Sequence, residues 1–414
     1  MRIAVLNASG RPAGGVGSYL RMIMPALALR GHDLAFLHEH GGSPTGDPFA
    51  LPAGTLSWSV EEIGLERALA ELRGWRADVL VSHGLTDPAV EAGILEVAPA
   101  IFHAHTYHGT CISGAKTFKS PTIVPCSRTF GWPCLVNYYP RRCGGWSPIT
   151  MAVQFRRQAQ RLQLLSRYRA LVTYSLRLQQ EFALHGIEAT AVAPPLESGI
   201  FPADSPRHRN PHDEWRLLFV GRMDDLKGGR YLLEALPKVA RTLERRVDLT
   251  FAGDGPARVS WEAAAARLMT REPTTRIEFT GWRNRNEIDA LYARADLLVV
   301  PSLWPEPFGF VGPEAGRQRL PAAAFAVGGI PEWLRPGING FLAPANPPMI
   351  NGLAEAIVAC LKDPETHARL REGAGRVAAE LTLDGHVDAL MRVLIDATRS
   401  DFDVSRRVRV DDRP

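Results

Sequence analysis

"WRLLFVGRMDDLKGGRYLLEALPKVART" occupies Trp215–Thr242. Its first six residues are rich in apolar and β-favouring side chains and read as a strand ending at Val220. Gly221 allows a tight turn at that point. "GRYLLEALPKVART" then repeats apolar residues at helical spacing. Arg222 and Lys227 stand just ahead of the helix start. A helix amino terminus offers free N–H groups and positive partial charge. Two cations beside it make a receptor for a diphosphate, through charge-assisted hydrogen bonds worth roughly 1.5–3 kcal/mol each. Taken alone, the stretch is equally readable as a surface loop with ordinary basic residues.

The same alternation continues on both sides. Downstream come a strand and turn, "VDLTFAGDGP", then "TRIEFTGW", a helix around "EIDALYARA", and "DLLVVPS". The last is nearly continuous in apolar residues, as a strand covered on both faces should be. Upstream, Leu196–Pro211 carries Pro202, Pro206 and Pro211 among polar residues and reads as a linker. Before it lie "RIAVLNA", the glycine-rich "SGRPAGGVGS" and a helix, "YLRMIMPALALRGH". "DLAFLHE", "ADVLVSHG", "APAIFHAH", "RALVTYS" and "ATAVAPP" read as further strands, and Ser175 caps the helix "LRLQQEFALHG". Strand–helix alternation of this kind predicts an α/β fold: two Rossmann-like, doubly wound parallel sheets with a ligand cleft at the carboxyl ends of their strands. The predicted boundaries are 1–195 with an insertion at 106–150, the linker at 196–211, a second domain at 212–380, a helix at 381–400 returning to the first domain, and a polar tail at 401–414.

A chain of 414 residues is long enough for two such domains. It is 45% hydrophobic and 22% charged, as soluble globular proteins are, and no apolar run approaches a bilayer span. Five cysteines suit a reducing compartment, and the run Ile3–Leu6 is too short for a secretion signal. A cytoplasmic location is expected. The net charge of +4 conceals an asymmetry, because residues 101–180 contain no Asp or Glu. Arginines and lysines are interleaved there with Tyr107, Phe118, Phe130, Trp132, Tyr138, Tyr139, Trp146 and Phe155. This is either a solvated face or a surface for an anionic membrane or anionic acceptor, on the inner face of the membrane. No nucleic-acid motif accompanies the charge.

"SLWPEPFGFVGPEAGRQRLP", Ser302–Pro321, places Glu306 and Glu314 around a proline- and glycine-rich loop. Pro305 and Pro307 keep Glu306 out of a helix. Gly309 lets backbone approach a ligand. Pro313 suits the first turn of a helix, with Glu314 beside it. A carboxylate accepting two hydroxyl hydrogen bonds suits sugar diols. Glu314 is also explained as a complement to the helix dipole.

The pieces "GGVGSYL", "FVGRMDDLKG", "FAGDGP", "FTGW", "PSLWPEPFGFVGPEA" and "VGGIPEWLRPGINGFLAP" occur in an order and spacing that resemble glycosyltransferase family 4. The resemblance covers most of the chain and is strongest from Arg216 to Pro344. It implies the two-domain GT-B fold and retaining transfer of a sugar from a nucleotide-diphosphate donor, UDP- or GDP-linked, to a glycan or lipid-linked acceptor in surface polysaccharide or glycolipid synthesis. By the same resemblance, Arg222 and Lys227 bind the diphosphate, Glu306 lies near the donor sugar and Glu314 on the ribose. Gly221 belongs to the same donor site. Phe308, Gly309 and Phe310 line the sugar, and Gly14 and Gly15 face the donor from across the cleft. His105 matches the catalytic histidine of the first domain, with His103 and His108 competing for the role. The family usually has glycine where Arg319 stands, and a more β-branched strand than "AAAFAV".

No cofactor is needed for such a reaction, since fixed cations can stabilise the departing diphosphate. An Asp-x-Asp pattern, Asp401 and Asp403, falls in the tail and reads as chance. Cys111, Cys126, Cys134 and Cys143 fall in the insertion without the spacing of common zinc sites. Reduced or partly paired thiols are one reading, and a structural zinc or iron–sulfur cluster the other. Two further functions remain open: a sugar phosphorylase or nucleotide-sugar epimerase on the same fold, or a non-catalytic nucleotide-sugar or lipid-binding protein. The glycine spacing of "ASGRPAGGVGS" does not fit a dinucleotide-binding dehydrogenase.

Overall fold

A computed structural model describes residues 1–11, 14–41, 49–196 and 214–399. Most of the expected linker, together with the 401–414 tail and Asp401 and Asp403, lies outside the described residues. The chain divides into two compact units. The first comprises the described parts of 1–115, 127–197 and 382–414; the second those of 116–126 and 198–381.

The strands of the first half are β1 (Arg2–Ser9), β2 (Asp33–His40), β3 (Leu56–Ser59), β4 (Val79–Ser82), β5 (Ala100–Ala104), the two-residue strands β6 (Thr117–Phe118) and β7 (Val124–Pro125), β8 (Ala170–Thr173) and β9 (Thr190–Ala191). The first unit holds a parallel seven-stranded sheet in the order β3-β2-β1-β4-β5-β8-β9. Ile3–Leu6 and all of β4, β5 and β8 are buried, which explains their apolar or small side chains, with His103 in β5 the exception. The chain winds outward from β1 to β3, then returns to β4 on the other side of β1. The carboxyl ends of β1 and β4 therefore flank a switch in winding direction, where doubly wound sheets bind ligands. The helix Leu383–Thr398 belongs to this unit. It packs on the helix Gly14–Leu29, where His386 Nε2 meets Tyr19 Oη at 2.9 Å and Arg30 pairs with Asp384 at 3.1 Å and with Asp388.

The second unit contains β10 (Trp215–Val220), β11 (Val247–Ala252), β12 (Thr275–Gly281), β13 (Leu297–Val300), β14 (Ala322–Phe325) and β15 (Gly340–Ala343). They form a parallel sheet in the order β12-β11-β10-β13-β14-β15, with the switch between β10 and β13. The alanine strand β14 is fully buried under the helix Ile350–Leu361, and Cys360 Sγ reaches the Ala322 carbonyl at 3.7 Å. Small side chains let that helix approach the sheet closely, which offsets their weak β preference. Arg319 has φ 53°, the left-handed conformation that glycine adopts more readily.

One boundary differs from the sequence reading, and one helix adds to it. Residues 116–126, with the antiparallel β6–β7 pair, group with the second unit rather than with the rest of the 106–150 insertion. The insertion is followed by an eighteen-residue helix, Pro148–Leu165, whose mixed Arg, Gln and Leu pattern had not been read as regular structure. No described helix is long and apolar enough to cross a membrane.

Candidate functional site

The loops after β10 and β13 meet at the switch of the second sheet. Gly221 closes β10 by donating its N–H to the Ala252 carbonyl at 3.0 Å. Asp224 caps the short 3-10 turn Asp225–Lys227 by accepting from the Lys227 N–H. Gly228 follows with φ 69°, and a Cβ there would lie 1.8 Å from the Pro301 carbonyl oxygen. Only glycine lets the turn ahead of the helix Gly229–Leu243 close against the end of β13. The Leu303 N–H donates to the Leu226 carbonyl at 2.8 Å and ties the two loops together.

That closure sets Lys227 against Glu306. The Lys227 ammonium lies 2.6 Å from Glu306 Oε1 and 5.0 Å from the centre of the Trp304 ring. Glu306 is 7% exposed and also accepts from Ser302 Oγ at 2.8 Å. Its own backbone is gripped by a second glycine turn: Gly329 donates to the Glu306 carbonyl at 2.7 Å, and a Cβ on Gly328 would come within 2.2 Å of the same oxygen. A carboxylate this enclosed needs its cation and its hydroxyl. Arg222, on the turn that leads to Lys227, is 71% exposed, with Asp224 at 3.6 Å, so its guanidinium is accessible to a ligand.

Glu314 lies in the six-residue helix Val311–Gly316. Its oxygens face Arg285 at 3.3 Å and the Tyr292 hydroxyl at 3.4 Å. Burial, and then the Glu314 charge, push the Tyr292 phenol well above its usual range, so it remains a donor. Phe308 is buried, with its ring 6.0 Å from that of Phe310, and its carbonyl accepts from Trp333 Nε1 at 2.8 Å. Gly309 has φ 89° beside Ile330 and Trp333. The sequence reading missed Ser302, Arg285, Tyr292 and Trp333. Arg285, Tyr292 and Trp333 act through partners more than twenty positions away, so no local pattern marks them, whereas Ser302 stands only four positions before Glu306.

In the first unit, Gly14 and Gly15 open the first helix with nothing within 4 Å of a Cβ on either. Of the three histidines weighed from sequence, His105 keeps partial solvent exposure, whereas His103 is fully buried. His108 turns away to Glu91, 3.5 Å distant. The unread residue is His83, directly after β4, whose Nδ1 lies 2.8 Å from His105 Nε2. Burial pushes the imidazoles of His83 and His103 well below their ordinary range, His105 to about 3 and His386 to about 4. Neutral rings therefore line this switch. Cys111, Cys134 and Cys143 belong to the first unit and Cys126 to the second.

Comparison with known proteins places this architecture. Anabaena HepE, solved in complex with UDP, superposes with a TM-score of 0.65 at 19% identity, covering 95% of this chain and all of that one. Sucrose-phosphate synthase from Thermosynechococcus elongatus gives 0.65 at 21% identity, with 96% and 100% covered. The fold is GT-B. Residues 201–377 match the family model of the glycosyl transferases group 1. The glycogen synthase of Mycobacterium tuberculosis is 26% identical over 437 aligned positions, 97% of this chain and 96% of that protein. An uncharacterised glycosyltransferase of Methanocaldococcus jannaschii is 38% identical over 140 residues, a third of each chain. The chain is a glycosyltransferase.

Proposed function

We propose that the protein moves a sugar, with retention of configuration, from a nucleotide-diphosphate donor to a glycan or lipid-linked acceptor, as family 4 enzymes do. The observation that carries this reading is the Lys227–Glu306 pair at the β10–β13 switch, beside the exposed Arg222. Departure of a nucleoside diphosphate builds negative charge on phosphate and leaves an oxocarbenium-like sugar. Lys227, Arg222 and the backbone N–H groups ahead of Gly229 are the groups to stabilise that charge. Glu306 is assigned to the donor sugar and Glu314 to the ribose. Gly221, Phe308, Gly309 and Phe310 shape the pocket. Gly14, Gly15 and His105 serve the same reaction from the first unit. On this reading the chemistry needs no cofactor.

HepE was solved with UDP and with UDP-glucose, so uridine diphosphate sugars are the first donors to test. For the acceptor side, the first unit exposes Trp132, Trp146, Ile149 and Val153 within the acid-free stretch that also carries Arg141, Arg142, Arg156 and Arg157. Apolar side chains among cations suit the interface of an anionic membrane, consistent with peripheral attachment on the cytoplasmic side. A panel of nucleotide sugars, read by thermal shift and product release, tests the donor. Binding without turnover, with any acceptor or with water, would turn the reading to a non-catalytic binder. Phosphate-dependent release of sugar phosphate would turn it to a phosphorylase, and a changed sugar without acceptor to an epimerase.

A further inference from the structure

His83, His103 and His105 each offer one ring nitrogen, and these three atoms lie within 4.8 Å of one another. We infer that they form a binding site for a divalent transition metal, with zinc the best fit. A tetrahedral ion with bonds of about 2.0–2.1 Å to each imidazole spaces its ligand atoms at roughly 3.4 Å. The observed His83 Nδ1 to His105 Nε2 contact of 2.8 Å would have to open toward that spacing to admit the ion. His103 and His105 alternate along the chain and so share one face of the β5 segment, while His83 reaches them from the end of the neighbouring β4.

A second observation points to a ligand independently. His103 is completely buried, and neither of its ring nitrogens has a hydrogen-bond partner. A buried polar group left without a partner is destabilising and calls for an explanation. The adjoining His386 is accounted for: Nδ1 contacts the Ala193 carbonyl at 2.8 Å and Nε2 the Tyr19 hydroxyl at 2.9 Å. His103 has no such explanation, and an ion held with His83 and His105 supplies a partner for one of its two nitrogens. The rings are buried in their neutral form, the form a metal requires. Three imidazoles leave a fourth position for water, and nitrogen ligands suit zinc, copper or nickel rather than magnesium or calcium.

The ion would hold His105 by a ring nitrogen and take it out of sugar transfer. Zinc is then an inhibitor that acts by occupying this site, a consequence that rests on the catalytic role proposed for His105. Binding itself does not rest on that role, so the test reads binding. The metal-free full chain is titrated with Co2+ and then with Zn2+. The expected result is one ion per chain, visible absorption bands of a tetrahedral cobalt centre, their displacement by zinc, and no thiolate-to-cobalt charge transfer. His103→Phe, which keeps a ring in the core, and His83→Asn should each abolish stoichiometric binding. Three results overturn the inference: no stoichiometric binding by the wild-type chain, a thiolate band that places the ion on cysteines, or full binding in a folded His83→Asn variant. If His103→Phe fails to fold, the wild-type cobalt spectrum and His83→Asn still decide.

Discussion

The two sheets carry the same switch in winding and opposite chemistry around it. At the β10–β13 switch stand an ammonium, a buried carboxylate and an exposed guanidinium. At the β1–β4 switch stand neutral buried imidazoles and the tyrosine Tyr19. Topology places a ligand site but does not choose its chemistry; the residues on the loops do. A charged crevice suits a diphosphate, and a neutral one suits groups that must hold or pass a proton without repelling an anion.

Substitutions can break this contrast. The largest effect is expected from Glu306→Ala, which should lower kcat on the order of 10³-fold without unfolding the chain, as checked by initial rates and circular dichroism. Wild-type turnover in the variant would remove Glu306 from the reaction. Lys227→Ala should cost roughly 10²-fold in kcat/KM and weaken nucleoside diphosphate binding measured by calorimetry. If nucleoside diphosphate affinity is unchanged, the charged crevice does not hold phosphate.

Acid should separate the two sheets. His386 holds a proton with a pKa of about 4 in the folded chain, against 6.5 when unfolded. Between those values the unfolded chain binds more protons, so stability is full above pH 6.5 and falls as the pH drops toward 4. The loss attributable to this group is roughly 3 kcal/mol at its full extent. Denaturant unfolding from pH 7.5 to 4.5 should show it, and His386→Gln should flatten the slope while lowering stability at pH 7.5. The smallest effect belongs to the rim of the first unit. Arg30→Ala removes solvent-exposed pairs with Asp384 and Asp388 and should cost no more than about 1 kcal/mol, less in high salt.

Much of the second unit was legible in its sequence, because its signals are local. The strand ending at Val220, the turn glycine, the two cations and the helix start lie within a dozen residues, and the proline-flanked Glu306 announces a rigid loop. His83 and Tyr292 were not legible, since each matters only through a partner far along the chain. Arg319 was recognised as standing where glycine is usual; its left-handed φ shows what that position demands of the backbone. The grouping of residues 116–126 with the second unit could not be read either, because chain continuity says nothing about which core a short hairpin joins.

Local periodicity, turn chemistry and charge thus specified the alternating elements and the residue types that could meet a diphosphate, because those depend on neighbours a few positions apart. Strand order alone brought Lys227 to Glu306 across a sequence separation of 79, and His83 to His105 across one of 22. Only packing decided which carboxylate is enclosed and which imidazole goes without a partner. Burial and partnership are properties of the assembled unit, and no short window of residues contains them.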